Sequence, residues 1–298
     1  MIILAAVTIN ITLGDGGLIW QAQHAAEVTV NSAQSEQEQL DSLEKELANI
    51  LAENEGPAPI PETETQVANY ADVDGNGTVD GVIYADLAIG GSGAALGEGY
   101  TISKGSGFKK YRVTQEVYSE SFGTGKVIAP VEGSSGNERF YVMTLSNVVS
   151  GAKYWYDDAY GNMEDYASQT STAFGAGEQN TINMIAKWNS GSNGGYGAQN
   201  AGTNSPYNPD VWGISAVNSR TWNGSSGWYV PSKEEWVAFA GELNIDDSNY
   251  LNLGLNHRYW SSSQVDTQNV WVADFAQKDC SRYTVDSPFN CVRLGTTF

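Results

Sequence analysis

The 298-residue chain is 41% hydrophobic and 11% aromatic, enough to bury a core, and its length suits one large domain with an appendage. Lys+Arg 15 against Asp+Glu 35 leaves a net charge of −20, which argues against nucleic acid or anionic lipid as a partner and suits an extracellular surface. Cys280 and Cys291 are too few for a multi-disulfide scaffold or a four-cysteine zinc site, and His24 and His257 lie too far apart for a His-rich metal motif.

In chain order, residues 1–13 are apolar but shorter than the roughly 20 residues a membrane span needs. Residues 14–17, Gly-Asp-Gly-Gly, break that run. The spacing of Leu40, Leu43, Leu47, Ile50 and Leu51 then predicts a long helix over Leu18–Asn54, with Glu36, Glu38, Asp41, Glu44 and Glu46 on its other faces. Such a helix is either amphipathic and packed on its own domain, or a stalk whose apolar end enters a membrane or a filament core. Residues 55–66 carry Pro57, Pro59 and Pro61 and predict an extended linker. The chain therefore divides into 1–54, 55–66 and 67–298.

Next comes Asp72-Val-Asp-Gly-Asn-Gly-Thr-Val-Asp80. Asp72, Asp74, Asn76 and Asp80 stand at positions one, three, five and nine of an EF-hand-type loop, with Gly77 at six, a spacing of oxygen donors that suits Ca2+. Position twelve is Ile83 in place of a bidentate Glu. A weak calcium site and a metal-free Asp/Asn/Gly turn into a strand over Gly81–Leu87 both account for these letters.

From there on, short aromatic or β-branched runs alternate with Gly/Ser/Asn turns. They predict strands over Tyr111–Tyr118, Lys126–Ala129, Phe140–Leu145, Trp271–Phe275, Tyr283–Val285 and Val292–Leu294. One helix is predicted over Glu178–Asn189, with Ile182, Ile185 and Trp188 as its stripe. Another starts at Ser232, where Ser232 and Glu235 form a capping box and Trp236, Phe239, Ala240 and Leu243 face the core. Ser190–Trp228, rich in Gly, Asn and Ser, reads as a long loop. Two helices among many strands predict an α+β fold. No nucleophile elbow, shared carboxylate cleft or phosphate-binding loop stands out, so no enzyme activity is expected.

Two resemblances add to this reading. The run LAAVTINITLGDGGLIWQAQHA resembles the end of the hydrophobic N-terminal helix of type IV pilin-like proteins. It implies pilin subunits or a membrane as partners of that helix, and a truncated start, since only the last part of such a segment is present. Trp228-Tyr-Val-Pro-Ser-Lys-Glu-Glu-Trp236, Tyr259-Trp-Ser-Ser-Ser-Gln264, Val270-Trp-Val-Ala-Asp-Phe275 and Val292-Arg-Leu294 form an ordered series. It resembles the C-type-lectin-like fold shared by the formylglycine-generating-enzyme group and by the variable proteins of diversity-generating retroelements. That resemblance implies an α+β, C-type-lectin-like ligand-binding domain preceded by a long N-terminal α-helix, with a variable region at about 257–291.

In such variable proteins, adenine-directed mutagenesis recodes Asn codons. Asp266, Val272, Asp274, Asp279, Cys280, Arg282, Thr284, Asp286, Ser287, Asn290 and Cys291 are all letters that recoded Asn codons can become. They alternate with scaffold residues such as Trp271, Phe275, Tyr283 and Val292, and period two would turn the strand members of the set to solvent. An ordinary sheet with a polar outer face would alternate in the same way. The resemblance thus implies an extracellular, cell-surface or pilus-associated adhesin that binds a variable protein or glycan ligand through these residues. The alternative is a structural minor pilin without a ligand. An enzyme of the formylglycine-generating type would need a reactive cysteine pair in a cleft, whereas Cys280 and Cys291 fall in the display segment.

Overall fold

The computed structural model describes residues 18–54, 58–148, 151–152, 155, 169–189, 221–266, 268–284 and 290–298. The apolar start and its Gly-rich break, the stretch 190–220, and the candidate display residues Asp286 and Ser287 lie outside the described residues. The chain divides into two compact units, Met1–Ala58 and Pro59–Phe298. In the first, Leu18–Asn54 is helical (α1), and its described side chains, Val28, Val30, Leu40 and Leu43 among them, are exposed. Among the described residues no helix is long and apolar enough to cross a membrane.

The second unit is built on a six-stranded mixed sheet. Its strands are Gly295–Thr297 (β13), Phe140–Thr144 (β7), Gly81–Asp86 (β2), Tyr70–Ala71 (β1), Gly123–Pro130 (β6) and Tyr111–Ser119 (β5), in that spatial order. The pair β1 and β6 is parallel, while the other neighbours are antiparallel. Every residue of β2 is buried. Ile83 joins a core cluster with Ile128, Phe140, Val142 and Trp260. Val82 and Tyr84 join a second, with Met143, Trp236 and Phe239. A strand covered on both faces needs no polar alternation, which is why Gly81–Asp86 reads as an almost unbroken apolar run. Gly81 permits the close approach of β2 to β7, because a Cβ there would collide with the Met143 carbonyl and the Val142 side chain.

Smaller sheets complete the unit: the hairpin of Gly91–Ala95 (β3) and Glu98–Ile102 (β4), the hairpin of Thr221–Trp222 (β8) and Ser225–Ser226 (β9), and an antiparallel sheet of Arg258–Gln264 (β10), Asn269–Asp274 (β11) and Asp279–Thr284 (β12). The β8–β9 hairpin lies in what reads as loop from the sequence. It turns through Asn223 (φ 51) and Gly224 (φ 98), the Asn-Gly pair that tolerates left-handed backbone in a two-residue turn.

Gly177–Asn189 (α2) and Lys233–Glu242 (α3) are the two helices of this unit among the described residues. Ser232 caps α3 through the expected capping box with Glu235. The helix buries Glu235 to Ala240 and packs on β2, β3, β4, β10 and β11. The stripe expected on α2 is displaced. Ile182 is 38% exposed and the Trp188 side chain lies outside the described residues, while Asn180, Thr181 and Met184 are buried. The polar pair turns inward because it has partners there. Thr181 Oγ1 donates to the Gly177 carbonyl at 2.8 Å and accepts the Val230 amide at 3.1 Å, and Asn180 Nδ2 lies 3.1 Å from Ser262 Oγ.

The expected α+β, C-type-lectin-like class therefore gives way to a β-rich fold: 13 strands in four sheets against two helices among the described residues of Pro59–Phe298. Among the added strands, β3 is built of Gly, Ser and Ala, whose small side chains carry no apolar period, and β1, β8 and β9 are two residues each, too short to show one.

A buried ion pair ties the entry of the unit to its main sheet. Arg139 Nε and Nη2 donate to Asp86 Oδ1 and Oδ2 at 2.8 and 2.9 Å, with both side chains 1% exposed. The remaining guanidinium donors reach the Pro61 and Glu64 carbonyls at 3.3 and 2.8 Å, so the Pro-rich segment is held by the same group. Asp86→Ala strands this cation and should cost about 3–5 kcal/mol of unfolding free energy in a urea titration; a loss under about 1 kcal/mol would refute the pairing.

Glu235 supplies a pH dependence. Burial holds its carboxyl up to about 7, against the pull of the Ser232 and Gly177 amides. The folded state therefore keeps a proton that the unfolded chain releases near pH 4.5, and this contribution to stability is lost as pH rises towards 7. The thermal midpoint should fall across that window. In Glu235→Gln it should start lower, because an amide NH2 opposes one of the two N–H donors, and decline less.

Candidate functional site

The structure disperses the expected display residues. Val272 is fully buried in the cluster with Trp260. Asp274 is fully buried as well, where it accepts Arg258 Nε at 2.6 Å, the Tyr283 hydroxyl at 3.3 Å and the Gln277 amide at 3.0 Å. Cys280 and Cys291 are free thiols 8% and 4% exposed, and Asn290 is fully buried with neither amide atom hydrogen-bonded. Burial pushes the Cys280 thiol up to about 12 and raises that of Cys291, so both stay protonated at neutral pH. Asp266 and Asp279 are half-buried and local in role: Asp266 Oδ1 accepts the Gln268 and Asn269 amides at 2.8 and 2.9 Å in the β10–β11 turn, and Asp279 Oδ1 accepts Ser281 Oγ at 2.6 Å. Arg282 and Thr284 are exposed.

The expected outward face thus fails for Val272, Asp274, Cys280, Asn290 and Cys291, because the β10–β12 sheet is covered on both sides. On one face Val270 and Val272 pack with Trp260, and on the other Ala273 and Cys280 pack with Trp236 and Phe239. The tail is claimed by the fold as well. The Cys291 amide donates to the Arg258 carbonyl at 2.9 Å, and Arg293, 1% exposed, donates to the Thr144 and Gly254 carbonyls at 2.9 and 3.1 Å.

One stretch of the sheet remains open. In register, Asn269 faces Thr284 and Trp271 faces Arg282. Trp271 is half-buried, with Lys233 Nζ 4.1 Å and Arg282 Cζ 5.2 Å from its ring centroid. Lys233 also pairs with Glu98 at 2.9 Å. Trp271, assigned to the scaffold from its sequence, is therefore the centre of the accessible patch. The mixed aromatic and cationic pattern Trp271/Arg282/Lys233 was in the letters, but only cross-strand pairing and the start of α3 bring these residues together.

A second cluster sits where β1 turns into β2. The Asp72–Asp80 loop is bridged at its base by the Asp80 amide and the Ala71 carbonyl at 2.8 Å, and it bends at Gly75 (φ 74) and Gly77 (φ 90). Asp72 Oδ2 accepts the Gly77 amide at 2.9 Å and Asp80 Oδ2 accepts the Val73 amide at 2.8 Å. One oxygen each of Asp72, Asp74 and Asp80 lie within 4.8 Å of one another. Burial, then the charges of Asp74 and Asp72, push Asp80 up to about 7, and burial foremost raises Asp72. Asn76, the fourth expected donor, acts as a brace. Its Oδ1 accepts the Thr78 amide at 2.7 Å, and its Nδ2 donates to Asp74 Oδ2 at 3.0 Å and to the Asn223 carbonyl at 3.3 Å.

These placements separate structural from surface letters. Val272→Asp and Cys280→Asp should each cost more than about 3 kcal/mol in urea unfolding, because each buries an uncompensated charge. Arg282→Ala and Thr284→Ala should stay within about 1 kcal/mol. Equal losses in both groups would refute the assignment.

No protein-family model and no curated protein matches the sequence. Among solved structures, a fimbrial protein from Bacteroides ovatus is similar at a TM-score of 0.32 and 16% identity, over 54% of this chain and 36% of that chain. The match spans little more than a third of that protein, a likeness too slight to assign this chain a fold or a role.

Proposed function

We propose that this chain is a surface-displayed, adhesin-like protein, cell-surface or pilus-associated, that binds a protein or glycan ligand through the open stretch of β11 and β12. The observation that carries this reading is Trp271, flanked by Lys233 and Arg282 and presented with Asn269 and Thr284 at the end of the sheet where its two exposed strand residues, Arg282 and Thr284, stand. An aromatic ring, the Arg282 guanidinium and the Asn269 amide held on rigid strands offer apolar area and hydrogen-bond donors at little entropic cost. On a chain of net charge −20, the exposed guanidinium of Arg282 favours a ligand that brings a carboxylate or another anion, while the charge of Lys233 is met by Glu98. Of the described display residues, the exposed Arg282 and Thr284 can change without loss of core packing, so retroelement recoding that preserves the fold would act there.

A second reading, a structural pilus subunit without a dedicated ligand, is favoured by the apolar side chains that α1 exposes. Leu40 and Leu43, for example, are 54% and 60% exposed, and other pilus subunits or a membrane would cover them.

The test is binding of the purified chain to immobilised glycans and proteins. Arg282→Ala should lower capture by a factor of about 10 or more, as expected for loss of an arginine hot spot, with little change in thermal midpoint, whereas Trp271→Ala also removes contacts with the core and should lower both. Undiminished capture by Arg282→Ala, or no capture by the parent chain, would leave the second reading.

A further inference from the structure

We propose that Asp72, Asp74 and Asp80 form a calcium site whose inner ligands are the bare carboxylate oxygens of Asp72 and Asp80. Each of these two side chains is 1% exposed and commits one oxygen, Oδ2, to a backbone amide. Their Oδ1 atoms are buried and have no hydrogen-bond partner. A buried acceptor without a donor is costly, and here the two side chains that carry such oxygens each bring a carboxylate oxygen within 4.8 Å of the other's and of Asp74's. Among the described residues, no ion pair involves any of the three acids. A cation seated between them would satisfy both orphaned oxygens and cancel their repulsion in one step.

The chemistry selects the ion. All the donors are oxygens, which suits the hard divalent cations Ca2+ and Mg2+ over zinc or copper. A loop bent at two glycines and followed by Ile83 gives an irregular, incomplete shell, which Ca2+ accepts with water as extra ligands and Mg2+, demanding a near-ideal octahedron, does not. Without the bidentate Glu the affinity should fall to the order of 10⁻⁴–10⁻³ M, the range of extracellular modules. The mouth of the site is held independently of the metal: Asn76 binds the Asn223 carbonyl, and Asn223 Nδ2 binds the Val79 carbonyl at 3.3 Å, so the β8–β9 hairpin braces the loop.

The full chain, stripped with EDTA and titrated with CaCl2 by calorimetry near neutral pH, should show one site with a Kd on the order of 10⁻⁴–10⁻³ M. Its thermal midpoint should rise in millimolar calcium and rise less in equal magnesium. Asp80→Asn keeps an acceptor for the Val73 amide and turns an NH2 towards Asp72, so it should fold but lose both the heat and the calcium-dependent rise. Asp266→Asn, in the β10–β11 turn, should keep both. No heat and no rise in the parent chain would overturn the proposal, and that titration stands even if the variant does not fold. An undiminished rise in Asp80→Asn, or equal responses to the two cations, would also overturn it.

Discussion

Burial of β2 on both faces is the constraint on which the rest of Pro59–Phe298 depends. A strand with core on each side cannot sit at an edge, so β1 and β7 must flank it and further strands must extend the sheet. Its last residue, Asp86, is buried too, and a buried ionised carboxylate is costly without a partner of opposite charge. Arg139, placed just before β7, meets that need and uses its spare donors on the Pro61 and Glu64 carbonyls. One ion pair thereby links the central strand, its neighbour and the segment entering the unit.

The same double coverage governs β10–β12. Cover by α3 on one side and by the Trp260 cluster on the other buries the middle of the sheet, and its exposed strand residues, Arg282 and Thr284, stand at the end where they pair with Trp271 and Asn269. The chain's last residues are likewise structural. Val292 and Leu294 sit in the core, Arg293 ties back to Thr144 and Gly254, and β13 forms the edge beside β7.

Charge is also concentrated at the Asp72–Asp80 loop, in the opposite sense. The two inner acids sit almost fully out of water, each with one oxygen engaged by the loop's own backbone and the other bare. Burial and repulsion together raise the cost of ionising them.

Local rules were legible in the letters. The capping box of Ser232 and Glu235, the strands at Gly81–Asp86, Tyr111–Ser119 and Phe140–Thr144, and the donor spacing from Asp72 to Asp80 all follow from neighbours a few residues apart. The hairpins β3–β4 and β8–β9 were not legible, because β3 is all Gly, Ser and Ala and β8 and β9 are two residues each, too little to mark a face. Nor could the letters rank the residues from Asp266 to Cys291 by exposure: alternation says which side chains share a face, never what covers it. Burial of Val272 and Asp274, the inward turn of Thr181, and the meeting of Trp271 with Lys233 and Arg282 were decided by tertiary packing, since each depends on elements distant in sequence closing over the same few ångströms of surface.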